Sequence, residues 1–153
     1  MFNSGPHNIQ ALRGLSTNRT LLSGKSDGTL VDLWNEDDLD GRQAWILRQV
    51  AGTETYNIVV NGGVSANRLF LSCSMDSTLV DLWSVDDGSG RQRWKLERVA
   101  GSGIPEYYNI RTAAIGLPNN RVLLSCTENG TKVDLWHTDD GSGRQRWQMQ
   151  PLV

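Results

Sequence analysis

Short segments of alternating apolar and polar residues run along the whole chain. In residues 68–73, Leu and Cys alternate with Arg, Phe and Ser, and this period of two predicts a β-strand. In Val31-Asp32-Leu33-Trp34 the same alternation places Val and Leu on one face, with Asp and Trp on the other. No stretch has the 3.6-residue period of an amphipathic helix. The pattern therefore predicts an all-β protein.

One unit of about 50 residues occurs three times, which is the sequence signature of a repeat architecture. Val-Asp-Leu-Trp begins at Val31, Val80 and Val133, and Gly-Arg-Gln-x-Trp follows it each time. Asn-Ile, Asn-Arg and Leu-Ser pairs precede it in the same order in every copy. The repeats cover approximately residues 7–55, 56–107 and 108–153.

Each repeat is predicted to form four strands, centred on Asn-Ile, Leu-Ser, Val-Asp-Leu-Trp and Gln-x-Trp. A tight turn separates the second strand from the third, and a type I′ turn is expected there because it favours Asp-Gly and Asn-Gly. The turn dipeptides are Asp27-Gly28, Asp76-Ser77 and Asn129-Gly130.

Three four-stranded units restrict the architecture. A propeller closes with about four or more blades, whereas a β-trefoil needs three units, which form a six-stranded barrel closed by three hairpins around a pseudo-threefold axis. We therefore predict a single β-trefoil domain over residues 1–153. An oligomer of partial propellers stays open as the alternative.

Charge and composition exclude several classes of function. The chain has 15 basic and 17 acidic residues, so no basic stripe indicates nucleic-acid binding. No apolar run is long enough to span a membrane, and we expect no membrane insertion. Residues 1–7 do not resemble a signal peptide, which predicts a cytoplasmic protein or release by a non-classical route.

The chain offers little for catalysis. Its two histidines, His7 and His137, stand at non-equivalent places, and Cys73 and Cys126 share one repeat position typical of small buried residues. No Ser-His-Asp, zinc or phosphate-loop pattern occurs. We expect neither an enzyme nor a bound cofactor or metal. The Asp-rich loops leave calcium binding open.

Three Gln-x-Trp motifs at matched offsets resemble the signature of ricin-type β-trefoil lectins. The short loops and the Asp-Asp-Gly-Ser-Gly run are most similar to mushroom lectins of the Boletus type, which recognise galactose and N-acetylgalactosamine. The resemblance covers residues 7–150 and implies a multivalent, agglutinating lectin with a role in defence. Two positions differ from the ricin-type pattern. Ser23, Ser72 and Ser125 replace its second-strand aspartate, and Arg42, Arg91 and Arg144 replace its asparagine before the glutamine.

A sugar site needs an aromatic plate beside a few fixed polar groups. Each repeat supplies these as a strand aspartate, a strand tryptophan, a loop aspartate and a loop arginine. The strand aspartates are Asp32, Asp81 and Asp134, and the strand tryptophans are Trp34, Trp83 and Trp136. The loop aspartates are Asp37, Asp86 and Asp139, and the loop arginines are Arg42, Arg91 and Arg144.

Structural roles for the same residues remain open. The strand tryptophans could belong to the core, the strand aspartates could pair with the loop arginines, and the Asp-rich loops could be solvated turns. The second Trp of each repeat and the Gln of Gln-x-Trp are expected to be buried. The repeated Asn-Arg pairs are interpreted as turn and surface residues.

We expect a lectin with one site per repeat, each weak at ~0.1–1 mM and strengthened by avidity on cell-surface or glycoprotein glycans. A homodimer would double the number of sites. The main alternative is a β-trefoil protease inhibitor acting through the non-repeated loop 101–107. A sugar-binding module of a larger enzyme and a protein-binding trefoil are further alternatives.

Overall fold

A computed structural model describes residues 2–152. The strands are β1 Pro6–Ala11, β2 Leu21–Gly24, β3 Val31–Trp34, β4 Trp45–Gln49, β5 Tyr56–Val60, β6 Phe70–Cys73, β7 Val80–Trp83, β8 Trp94–Arg98, β9 Tyr108–Thr112, β10 Leu123–Cys126, β11 Val133–Trp136 and β12 Trp147–Pro151. A single 3₁₀ turn at Pro118–Asn120 interrupts this all-β order within the described residues. That part of the chain contains no helix long and apolar enough to cross a membrane.

Six strands close into a barrel. Antiparallel pairing runs β1–β4–β5–β8–β9–β12 and returns to β1, so the ring has no free edge. The other six strands form hairpins β2–β3, β6–β7 and β10–β11, one in each repeat. The third strands of the three repeats, β3, β7 and β11, contact one another around the axis. This is the β-trefoil fold, as the three repeats predict.

The second tryptophan of each repeat ties a hairpin to the barrel. These core tryptophans are fully buried, and each indole N–H donates to a carbonyl oxygen at 2.9–3.0 Å on the second strand of its repeat. Replacing a buried Trp by Ala typically costs about 3–5 kcal/mol. The prediction that they belong to the core is confirmed; they are Trp45, Trp94 and Trp147.

The hairpin tips form as predicted, but the expected turn type is wrong. A type I′ turn needs positive φ at both central residues. Gly28 has a φ of 76° and Ser77 one of 59°, whereas Asp27 and Asp76 do not have positive φ. The aspartate carboxylate instead accepts hydrogen bonds from the residue two positions later, as Asp27 does from the backbone and hydroxyl of Thr29.

The barrel end opposite the hairpins is covered by the start of the chain. Phe2 lies edge-on to His7, Tyr56 and Tyr108, with ring centroids 5.2–6.1 Å apart. These three rings precede the Asn-Ile pair of each repeat, so Phe2 packs on the pseudo-threefold axis. The repeat pattern does not predict this contact because Phe2 has no counterpart in the other repeats.

Candidate functional site

The Val-Asp-Leu-Trp strands present two faces, as their alternation predicts. In β3 the Val31 and Leu33 side chains are buried, while Asp32 and Trp34 are only partly covered on the outer face. β7 and β11 repeat the same burial pattern. The hairpin register sets Asp32 opposite Ser23, so a carboxylate and a hydroxyl are neighbours beside the ring. The same arrangement occurs three times in the molecule.

Each strand aspartate sits in a poorly solvated place. Burial raises the pKa of all three carboxyl groups, and nearby arginine and lysine charges oppose this shift only in part. In repeat two, Oδ1 of Asp81 is buried and has no hydrogen-bond partner among residues 2–152. A buried carboxylate oxygen without a protein partner needs a partner from outside the chain, such as an ordered water or a ligand hydroxyl.

An arginine lies over each strand tryptophan. The guanidinium carbon is 4.8–4.9 Å from the ring centroid, which is cation–π geometry. Arg19 also lies 3.6 Å from the carboxylate of Asp32. These stacking arginines are Arg19, Arg68 and Arg121. They belong to the Asn-Arg pairs, so their interpretation as turn and surface residues missed this contact.

The loop arginines pair with carboxylates of their own loop. Arg42 binds Asp38 at 3.0 Å and Asp40 at 2.7 Å, and Arg91 binds Asp87 at 3.0 Å. The strand aspartate of repeat one instead has Arg19 as its ion-pair partner. Pairing of the strand aspartates with the loop arginines, an open alternative above, is therefore wrong for these repeats. The loop arginines act on the strand aspartates only as nearby charges.

Both oxygens of each loop aspartate accept hydrogen bonds from the protein, including one from the asparagine on the first strand of the repeat. In repeat two, Oδ2 of Asp86 accepts hydrogen bonds from Asn57 and Arg93, and Oδ1 accepts one from the backbone N–H of Gly88. Asp139 has the corresponding three contacts, and Asp37 has those from Asn8 and the backbone of Leu39. These bonds fix the loop shape, and direct sugar contact by the loop aspartates stays a prediction.

A surface pocket of about 280 Å³ lies in repeat three. Its lining includes Asp134, Trp136 and Arg144, three of the four residues predicted for that site, together with Glu128. Asp139 is not part of this lining. Trp136 lines the pocket, whereas Arg121, which stacks on its ring, does not. Nε of Arg144 is buried without a partner in the described chain.

Buried hydrogen bonds fix the pocket from behind. The side-chain amide of Gln145 donates to the Ser125 hydroxyl at 2.9 Å, and its Oε1 accepts a hydrogen bond from the backbone N–H of Asp140 at 3.1 Å. Gln43 and Gln92 make the same two bonds in their repeats. The predicted buried role of the glutamine is confirmed. Ser23, Ser72 and Ser125 are buried as the partners of these glutamines.

The candidate site is an open depression whose lining exposes both polar and apolar surface. It offers an aromatic surface, a poorly solvated carboxylate and a guanidinium with spare donors, the groups that hold a polyhydroxylated ring. Within residues 2–152, no cluster of His, Cys, Asp and Glu side chains is arranged to hold a metal ion.

Solved structures share this fold along the whole chain. A designed 3-fold symmetric protein, ThreeFoil, has a TM-score of 0.71 and 21% identity over 97% of this chain and 99% of its own. SeviL, solved with asialo-GM1 saccharide, has a TM-score of 0.69 and 13% identity over 99% and 100%. Polyporus squamosus lectin, solved with Neu5Aca2-6Galb1-4GlcNAc, gives 0.67 and 16% identity over 99% of this chain and 50% of its own.

The chain thus spans two of these proteins completely and half of the third. No protein-family model matches the sequence, and no curated protein matches it. At these identities the likeness concerns the fold, and the chain is a β-trefoil protein.

Proposed function

We propose that the protein is a multivalent carbohydrate-binding protein with one site per repeat. The pocket of repeat three carries the proposal, because Asp134, Trp136 and Arg144 converge on one depression. The other two repeats place the same residue types at the same positions. The strand aspartate and tryptophan stay partly exposed in all three repeats, which burial of the core does not require.

The charges at the pocket favour neutral sugars. Asp134 and Glu128 line it, and the Arg144 guanidinium lies 3.7 Å from Asp140, which offsets its charge. A neutral hexose offers hydroxyl donors to the carboxylates and an apolar C–H face to Trp136. Galactose or N-acetylgalactosamine is the proposed preference. It is supported by the resemblance of the Gln-x-Trp repeats to mushroom lectins and by the galactose in the Polyporus squamosus lectin ligand.

A glycan array tests the proposal. Labelled wild-type protein should bind a restricted set of glycans, and changing the three strand tryptophans to alanine should abolish binding. Because these rings also pack beneath arginines, a second variant changes the three strand aspartates to asparagine, which keeps size and shape. Circular dichroism checks the fold of both variants.

The matched control neutralises aspartates elsewhere on the same hairpins. Asp27→Asn combined with Asp76→Asn alters exposed turn carboxylates and should leave the array pattern unchanged. Absence of wild-type binding to any glycan would overturn the proposal. Binding that survives in both triple variants would show that the sugar site lies elsewhere on the protein.

One observation favours the protease-inhibitor alternative. The non-repeated loop 101–107 presents Ile104 with 99% of its side chain exposed. Arg98 holds the base of the loop through Ser102 and Glu106, at 3.0 and 3.4 Å. If the array is negative, inhibition of a protease that is lost on Ile104→Ala would assign the function to this loop.

A further inference from the structure

An apolar groove between repeats two and three adjoins the candidate sugar site of repeat two. The groove has a volume of about 260 Å³, and its lining includes Met75, Arg91, Ile115 and Leu117. Met75 and Arg91 occupy the repeat positions that Glu128 and Arg144 occupy in the pocket of repeat three. The groove and the sugar site therefore share a wall at Arg91.

Residues 114–117 form one wall of the groove, and this segment is fixed at both ends. Gly90 has a φ of 92°, and a side chain there would meet Ala113 and Ala114 within 3 Å, so the segment packs directly on this glycine. At the other end, the buried Ser77 hydroxyl donates to the carbonyl oxygen of Pro118 at 3.2 Å. Ile115 lies between these two anchors on a segment held in place.

Met75 of repeat two and Ile115 of repeat three have no apolar counterpart at the same positions of the other repeats. Serine and glutamate, Ser26 and Glu128, take the place of Met75 in the other repeats. Counting six residues from the Asn of Asn-Ile gives Gly14 and Gly63 where Ile115 stands in repeat three. Met75 is 74% exposed and Ile115 96% exposed, so neither contributes to the core. Exposed apolar side chains that converge on one groove are typical of binding surfaces.

We propose that this groove binds the apolar aglycone of a glycoside whose sugar is held by Asp81, Trp83 and Arg91. The inference rests on the proposed function, since it assigns a second contact to a ligand of the same site. Because Arg91 lines both the sugar site and the groove, an apolar group attached to the sugar can lie in the groove while the sugar stays in its site. The groove volume fits one aromatic ring or a short alkyl chain, and it is too small for a protein segment.

Methyl β-galactoside and 4-nitrophenyl β-galactoside test the proposal by calorimetry, with the same pair of another sugar if the array selects one. Burying one ring against Met75 and Ile115 should tighten binding to one of the sites by about tenfold. Methyl-¹³C methionine labelling localises the effect, because the chain has three methionines. The Met75 signal should shift with the nitrophenyl compound, and that of Met149, on β12, should not.

Met75→Ser combined with Ile115→Gly installs residue types found at these positions in the other repeats. The variant should lose the tenfold advantage while keeping its affinity for methyl β-galactoside. Ile104→Ser removes an equally exposed apolar side chain elsewhere and should keep the advantage.

The outcomes separate this inference from the proposed function. Equal affinity for both compounds in the wild type, or an advantage that survives the double substitution, would overturn the aglycone groove and leave the sugar sites standing. If neither compound binds and the array is also negative, both proposals fall.

Discussion

At the scale of single residues, the strand aspartates are placed where binding and stability conflict. Burial raises the pKa of the Asp81 carboxyl group, and Arg68 and Arg91 offset this only in part. The ionised form is therefore less favourable in the folded protein than in the unfolded chain. That cost is fully present above the folded-state pKa and vanishes below the ordinary aspartate value of 3.8. Binding sites often retain such a cost because the ligand needs the charge.

Asp81→Asn should accordingly stabilise the protein at pH 7 while weakening sugar binding at repeat two. The midpoint of thermal unfolding should exceed that of the wild type at pH 7, and the difference should shrink as the pH falls through the raised folded-state pKa and be gone below 3.8. Scanning calorimetry over this pH range measures the effect. A destabilised variant at pH 7 would contradict the inferred cost of the buried charge.

Asp76→Asn provides a control of opposite sign on the same hairpin. Hydrogen bonds from Ser74 and Thr78 lower the pKa of Asp76 to about 2. Ionisation of this group therefore favours the folded state, and the benefit is lost as the pH falls through about 2. The variant should be less stable than the wild type at pH 7, and the stabilities of the two proteins should converge near pH 2.

The contact between each stacking arginine and its tryptophan could not be predicted from the sequence. The recurrence of Asn-Arg in three repeats was a usable signal, but an isolated pair before a strand is typical of a turn. The contact depends on register: Leu21 pairs with Trp34, so Arg19 approaches the ring across the hairpin. Spacing along the chain does not give that register, whereas the three-dimensional hairpin does.

At the scale of elements, the Gln-x-Trp segment joins a loop to a hairpin. Gln92 lies just before β8 rather than within the predicted fourth strand, and it bonds Ser72 on β6 and the backbone N–H of Asp87. The existence and order of the strands could be predicted because the same short motifs recur in the same order in all three repeats. The turn type and the place of the glutamine could not, since side-chain hydrogen bonds to the backbone decide them.

Gln92→Ala should destabilise the protein by about 2–3 kcal/mol, because it leaves a buried hydroxyl and a backbone N–H without their partner. Urea unfolding measures the loss. Gln49→Ala is the matched control: Gln49 is exposed, bonds only the carbonyl of Thr53 among the described contacts, and should cost less than about 0.5 kcal/mol. Equal losses for the two variants would show that the buried bonds add nothing specific.

At the scale of the whole molecule, threefold symmetry organises both the fold and the candidate sites. Three repeats of four strands were enough to predict the closed barrel, because a propeller needs about four or more such units and a β-trefoil needs three. Symmetry does not predict what each repeat adds alone. Phe2 covers one barrel end, and the Met75–Ile115 groove adjoins one site only. Such features come from single residues without counterparts, so a repeat pattern hides them.

Symmetry also makes the number of working sites a measurable quantity. A variant with alanine at two strand tryptophans keeps one site and should bind free sugar at that site with unchanged affinity. Binding to a dense glycan surface should fall by about 10²-fold or more, because avidity needs at least two simultaneous contacts. The three possible one-site variants also rank the repeats, and surface plasmon resonance at several glycan densities measures each one.

Cross-linking distinguishes sites within one chain from sites brought together by dimers. A monomeric one-site variant cannot bridge two cells, so red-cell agglutination should disappear although sugar binding remains. If the chain dimerises, each one-site dimer still carries two sites, and agglutination should persist above the dimerisation concentration measured by light scattering. Undiminished surface avidity in a strictly monomeric one-site variant would contradict multivalent binding through the three repeats, because a single contact leaves nothing for avidity to multiply.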